Sequence, residues 1–424
     1  MVIVRLGWRN VWRNTRRSLI TVSGVAFAFA FLIVLLGFSR GVILQLLRNG
    51  TELMVGHIQV HDGEYLPDRS IYNTIGGATG ADWQAAVARI RQHPSVRQAA
   101  PRVYGFGLFS TGNRSAGGQI VGVVASDERG FNRLFTGDVA ASLSNGHSLA
   151  LGAQLAKDIG AKVGDEVAVI APAADGTQGN VLVHVTAIVH TGLPALDRSL
   201  ALMRLEDVQA LLALEPSRIH EIAVTVDDPI TAPAIAQELT GELTQEVSQV
   251  GGLAAGTRVE NWRVLLPQLS DYLDAAGALN TIIIGLVVAF ASVSLLNAMA
   301  MATFERTHEF GVLNAIGMKP RLIVATVLGE SLCLVALGLV GGLLLGTPPM
   351  IYLTTHGVNL SWLTGGLAMF DSRIDPIIKG VWDWQTIPRA ALSLAVATVV
   401  AAYWPARRAT RVDAVEALRA PVIQ

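Results

Sequence analysis

The sequence is short of charge, of aromatic rings and of sulfur. Of its 424 residues, 15% are charged, 6% are aromatic and one is cysteine. A soluble domain carries about 25% charged residues, so this share excludes a water-facing surface along the whole chain. The single cysteine, Cys333, excludes an intrachain disulfide, and its apolar surroundings read as those of a small hydrophobe. His147, His220 and His308 are scattered, and no Cys/His group has metal-ligand spacing, so no metal site is expected. The net charge of -1 excludes the basic face that a nucleic-acid partner requires. Also missing are the P-loop pattern, a phosphate-binding GxGxxG, a GxSxG elbow and an HExxH pair. No catalytic residue and no cofactor bound by this chain is expected.

What the sequence has instead is Ala, Val, Leu, Ile and Gly, with a mean hydropathy of +0.45. Small residues of this kind let membrane helices approach closely. A spanning helix needs roughly 20 apolar residues. Four stretches qualify: 19–45, 271–304, 322–348 and 387–404, the third holding one acid, Glu330. Lys and Arg concentrate in three short flanks: Arg5 to Arg17 at the start, Arg306, Lys319 and Arg321 between the second and third stretches, and Arg407, Arg408, Arg411 and Arg419 at the end. Basic flanks stay in the cytoplasm. Both termini (1–18 and 405–424) and the link 305–321 are therefore expected inside, with 46–270 and the loop 349–386 outside. The first stretch exceeds the usual signal-peptide core of about 7–15 residues and lacks a small-x-small cleavage site, which reads as an uncleaved anchor. Before it, Leu6 to Asn14 sets Trp and Arg at near-helical spacing, as in an amphipathic helix lying on the inner leaflet.

Between 46 and 270 the periodicity changes to short alternating strands and amphipathic helices. Gly56–His61 alternates like a strand, and Asp82 to Ile90 reads as a capped helix. Strand-like stretches follow at Val103–Ser110 and Gln119–Val124. Ile219–Val226, Ala232–Val247 and Thr257–Trp262 repeat the strand-helix-strand order. These two units flank a β-rich insertion at about 130–214. The expected fold is thus a membrane α-helical protein of four transmembrane helices carrying a large two-lobed α+β extracytoplasmic domain.

Two strings carry a family resemblance. Glu305-Arg306-Thr307-His308-Glu309-Phe310-Gly311-Val312-Leu313-Asn314-Ala315-Ile316-Gly317 resembles the E-R-x-x-E-x-G-x-L-x-A-x-G signature of the FtsX-like/MacB permeases. The run from Pro405, Ala406, Arg407 and Arg408 to Glu416, Ala417 and Leu418 is similar to that family's closing motif, with Ala414 where the motif has proline. Residues 192–209, with Leu196-Asp197-Arg198-Ser199-Leu200 and Leu205-Glu206-Asp207-Val208-Gln209, resemble the LolC/LolE branch; the long loop 349–386 departs from it.

The resemblance implies an ABC transporter permease in the bacterial inner membrane, with its large domain periplasmic. It implies a cytoplasmic ABC ATPase dimer that holds ATP and Mg, a second permease chain (identical or paralogous), membrane lipids and a periplasmic chaperone or adaptor as partners. Glu305, Arg306, Glu309, Gly311, Leu313, Ala315 and Gly317 would couple the ATPase to the spans. Mechanical transmission to the outer domain would extract or export lipoproteins, lipids or another amphiphile. Peptide or antibiotic efflux, and non-transporting regulation of a cell-wall hydrolase, are the rival readings. In the third stretch, Gly338, Gly341, Gly342 and Gly346 have small-residue spacing suited to close helix packing. Glu330 reads as a bond to a neighbouring helix or to snorkelling water, or as a proton relay.

Overall fold

The computed structural model describes residues 2–13, 15–52, 54–77, 82–129, 135, 138–245, 256–359, 368–369, 372–373 and 377–409. It has two compact units. The first comprises Met1–Ile43, Asp274–Trp362 and Pro376–Gln424, the second Leu44–Leu273 and Leu363–Asp375.

Among the described residues, four helices are long and apolar enough to cross a membrane: Thr15–Thr51, Pro267–Glu305, Pro320–Thr355 and Thr386–Arg408. They are spans 1 to 4. An N-terminal helix, Val2–Arg13, precedes span 1, and a link helix, Thr307–Ala315, joins spans 2 and 3. Each span helix outruns its apolar stretch. Span 3 does not stop at Pro348 but continues through Pro348 and Pro349 to Thr355, so the first residues of the expected loop are helical. Pro405 likewise lies inside span 4. Proline has a helical φ, and the carbonyls it orphans can be re-satisfied locally in a membrane helix, so it need not end one there.

Spans 1 and 3 meet almost backbone to backbone. A Cβ on Gly338 would stand 2.5 Å from Val25 Cγ1, one on Gly342 2.7 Å from the Ala26 carbonyl oxygen, and one on Gly346 3.1 Å from Ala30 Cα. Gly341 faces Ala26 Cβ at a looser 3.4 Å. Two glycines of span 1 play a similar part for the segment after span 3. A Cβ on Gly41 would collide with the Lys379 carbonyl, and Val381 N–H donates to the Gly37 carbonyl at 2.9 Å.

Among the described residues, the large sheet of the second unit has nine strands: β1 (Ile58–Asp62), β2 (Val96–Ser110), β3 (Ser115–Val123), β4 (Ser148–Gly152), β5 (Glu166–Pro172), β6 (Gln178–Val189), β7 (Leu200–Arg204), β8 (Glu221–Val226) and β9 (Thr257–Asn261). The order β2-β8-β1-β9, every neighbour antiparallel, is that of a split strand-helix-strand repeat. Helices Trp83–Ile90 and Ala232–Gln245 belong to the two repeats; Arg89 of the first lies 3.9 Å from Glu242 of the second, and His93, just past the first, 3.1 Å from Glu238. Asp82 caps the first, accepting from the Gln84 and Ala85 amides.

The other strands form a closed circuit, β2-β3-β7-β4-β6-β5 and back to β2. This small barrel differs from the expected insertion at 130–214, because it takes in β3 and half of β2. The reason is one uninterrupted 15-residue strand: β2 pairs with β8 over Val96–Arg102 and with β3 over Arg102–Ser110. Closure leaves the barrel no free edge.

Candidate functional site

The link helix begins at Thr307, with only Arg306 between it and the end of span 2, and its sequence separates two faces. Phe310 is buried with Val11, Leu295, Met299, Ile323, Val327 and Ala406, and Leu313 packs against the same cluster. Val312, Ala315 and Ile316 face outward, Ile316 being 74% exposed. Gly317 ends the helix with φ +86°, and Met318 N–H donates back to the Leu313 carbonyl at 3.0 Å, the pattern of a left-handed cap. Gly317 is therefore required by its backbone angle; a Cβ there would meet nothing within 4 Å. Gly311 is buried.

Six charges run through the base of this element in alternating sign. Arg13 Nη2 donates to Glu309 Oε1 at 2.6 Å, and Arg306 Nε donates to Glu309 Oε2 at 2.8 Å. Arg306 Nη1 reaches Glu330 Oε2 at 2.9 Å. Arg17 Nη2 lies 3.7 Å from Glu330 Oε1, and Arg17 Nη1 donates to Glu305 Oε2 at 2.8 Å. Asn10 Nδ2 adds a bond to Glu330 Oε2 at 3.3 Å. The Arg306 guanidinium also sits 5.3 Å from the Phe310 ring centre, within cation–π range.

Burial grades the network. Glu330 is 3% exposed and Arg306 14%, whereas the side chains of Arg13 and Glu309 are about half in solvent. Exposed pairs contribute about 0–1 kcal/mol. A buried carboxylate deprived of its partners is far more costly. Burial pulls the Glu309 carboxyl upward, but hydrogen bonds and charge from Arg306 and Arg13 outweigh it and hold it below the ordinary value.

Thus Glu305, Arg306 and Glu309 are brought together, though toward the protein's own arginines. Gly311, Leu313, Ala315 and Gly317 continue the same element. Pro405, Ala406, Arg407 and Arg408 form the last turns of span 4, Ala406 inside the cluster around Phe310, and the Arg408 guanidinium is 5.7 Å from the Phe304 ring. Glu416, Ala417 and Leu418 lie outside the described residues. Asn10, Arg13 and Arg17 escaped the sequence reading, which took the arginines for topology signals; the signal of Arg13 and Arg17 was a four-residue spacing matching that of Glu305 and Glu309.

A second polar centre sits in the sheet unit. Gln59, His61, Glu221 and Arg102 project from β1, β8 and β2 on the face opposite Ile58, Val60 and Ile222, and all are buried. Arg102 binds Glu128 through two bonds, 2.7 and 3.0 Å, and donates to the Met54 carbonyl. Tyr104 donates to Glu221 at 2.7 Å. Burial pushes the Glu221 carboxyl up, against the pull of Arg102.

Four helices of membrane-spanning length, a basic N-terminal helix, a link helix tied to them and a split-repeat domain with an inserted barrel make up the described architecture. Residues 18–242 match the MacB-like periplasmic core domain and residues 281–414 the FtsX-like permease C-terminal model. The chain belongs to this family of ABC transporter permeases. It is 23% identical over 428 residues to the lipoprotein-releasing system transmembrane protein LolC of Neisseria meningitidis, covering 95% of this chain and 94% of that one. It is 23% identical over 422 residues to the macrolide export ATP-binding/permease protein MacB of Sodalis glossinidius, covering 95% of this chain and 58% of MacB. The crystal structure of the periplasmic region of MacB from Actinobacillus actinomycetemcomitans aligns with a TM-score of 0.35 at 18% identity, over 51% of this chain and 94% of the other.

Proposed function

We propose that this chain works in the inner membrane with both termini and the link helix in the cytoplasm and the sheet unit in the periplasm. The link helix receives the stroke of an ATPase dimer, and the spans carry it to the sheet unit without a tunnel through the bilayer. A second permease chain completes the assembly, and a periplasmic chaperone or adaptor receives the cargo. That cargo is a lipoprotein, lipid or other amphiphile; the end-to-end similarity to LolC favours a lipid-anchored one. The similarity to MacB over almost the same length supports peptide or antibiotic efflux as the second reading.

The carrying observation is the division of the link helix. Its base is locked by ion pairs and Phe310, while Val312, Ala315 and Ile316 stand exposed at its tip. Those residues form the ATPase-facing surface. Replacing Val312 and Ile316 together with Asp in the purified complex is expected to lower ATPase co-purification at least tenfold, with the permease still folded. Unchanged co-purification would exclude this helix as the docking element.

A further inference from the structure

Glu330 is the one carboxylate of the network that is buried, and the one set well inside a membrane helix, Glu305 being the last residue of span 2. It is ten residues past Pro320, about 15 Å along span 3 at the usual helical rise. An acid at such a position is costly unless it is held. Here three side chains hold it: Asn10 from the N-terminal helix, Arg17 from span 1, and Arg306 from the turn between span 2 and the link helix. The outer carboxylates each bridge fewer elements. Glu305 reaches Arg17, and Glu309 reaches Arg13 and Arg306. Through its two oxygens Glu330 alone joins spans 1 and 3 to the root of the link helix. Arg306 is fixed on its other side by Glu309 and by the Phe310 ring, so it has little freedom to move without Glu330.

From this geometry we propose that Glu330 is a positioning residue for energy coupling, the anchor through which displacement of the link helix becomes displacement of spans 1 and 3. This rests on the docking role proposed for the link helix. Glu330 neither touches the ATPase nor carries a proton in this role. Its charge fixes Arg306 and Arg17 in one register. Neutralising it leaves both guanidiniums with only the solvent-facing Glu309 and Glu305, and the link helix can then swing without pulling the spans.

The test uses the full complex with its ATPase, in a Cys333→Ala background, with nitroxide labels at Leu344→Cys, exposed on span 3 and outside the docking surface, and Phe106→Cys on the sheet unit. Adding Mg-ATP is expected to shift the distance distribution in the parent protein. In Glu330→Gln, which keeps the side chain's size, ATPase co-purification is expected to stay within twofold while the population that shifts falls at least fivefold. Glu330→Asp, which keeps charge but loses reach, is expected to fall between. A purely structural role would change the nucleotide-free distances equally and leave the shift intact. A Glu330→Gln complex that shifts like its parent overturns the anchor. Absence of ATPase and of any shift in the parent itself overturns the docking role instead.

Discussion

At the scale of single residues, the buried histidines of the sheet unit carry the clearest chemistry. His220 Nδ1 accepts from the Tyr104 amide at 3.0 Å and Nε2 lies 3.2 Å from the Ile71 carbonyl, so one neutral tautomer satisfies both ring nitrogens. Burial, against the Ile71 bond, lowers its pKa to about 4. His57 Nδ1 accepts from the Val226 amide, while its buried Nε2 has no hydrogen-bond partner, and burial lowers its pKa to about 4. A depressed histidine is neutral in both states above the unfolded value near 6.5. Between 6.5 and about 4 the unfolded chain takes up a proton that the folded one refuses, so stability falls as pH falls. Glu221, raised by burial, acts in the opposite direction, losing stability as pH rises. Comparing variants separates the two. His220→Gln removes one titration, and its stability deficit relative to the parent is expected to shrink by roughly 3 kcal/mol between pH 6.5 and pH 4. Denaturant titration of the detergent-solubilised chain at several pH values reads this directly; a deficit constant with pH would show that His220 titrates normally.

At the scale of elements, glycine spacing decides how spans 1 and 3 lie. Gly342→Leu places a branched side chain where even a Cβ would stand 2.7 Å from the Ala26 carbonyl and 2.9 Å from Phe29 Cβ. Overpacking of this kind costs about 1–3 kcal/mol or more, and a clear drop in the thermal midpoint in detergent is expected. Gly285→Leu on span 2, where nothing lies within 4 Å, is the matched control and is expected to leave the midpoint nearly unchanged. Equal effects would remove the packing argument. Span 3's glycines were legible because glycine recurring every four residues in an apolar run marks a face along which a second helix can close in. Gly37 and Gly41 on span 1 have the same four-residue spacing, but their partner is the backbone at Lys379–Val381, in a segment whose sequence gives no periodic signal. The link helix was legible as an amphiphile with a motif. The direction of its glutamates was not, because pairing with Arg13 and Arg17 depends on a tertiary approach across almost three hundred residues.

At the scale of the whole molecule, hydropathy and the change of periodicity near residue 46 made four membrane helices and an α+β domain readable from residue order alone. Barrel closure was hidden, since parallel pairing of β3 with β7 and of β4 with β6 joins stretches far apart in sequence. The proposed sidedness has a plain check. In intact cells of the Cys333→Ala protein, a membrane-impermeant maleimide is expected to label Phe106→Cys, 58% exposed on β2, and to spare Lys319→Cys, exposed in the link outside the docking surface, until the membrane is opened. The reverse pattern would invert the topology and sink the proposed assembly.

The continuity of β2 has a mechanical consequence. Its fifteen residues span about 50 Å, and Arg102, at the point where its partner changes from β8 to β3, is cross-braced to Glu128 on a side buried from water. A strand held by neighbours along most of its length is stiff in tension and resists bending at its braced midpoint. The two lobes cannot open and close on each other like jaws without breaking ladder hydrogen bonds and exposing that guanidinium. In the proposed stroke they would turn together, so a push at one end of β2 would reach the other as rotation of both lobes rather than as a change in their shape.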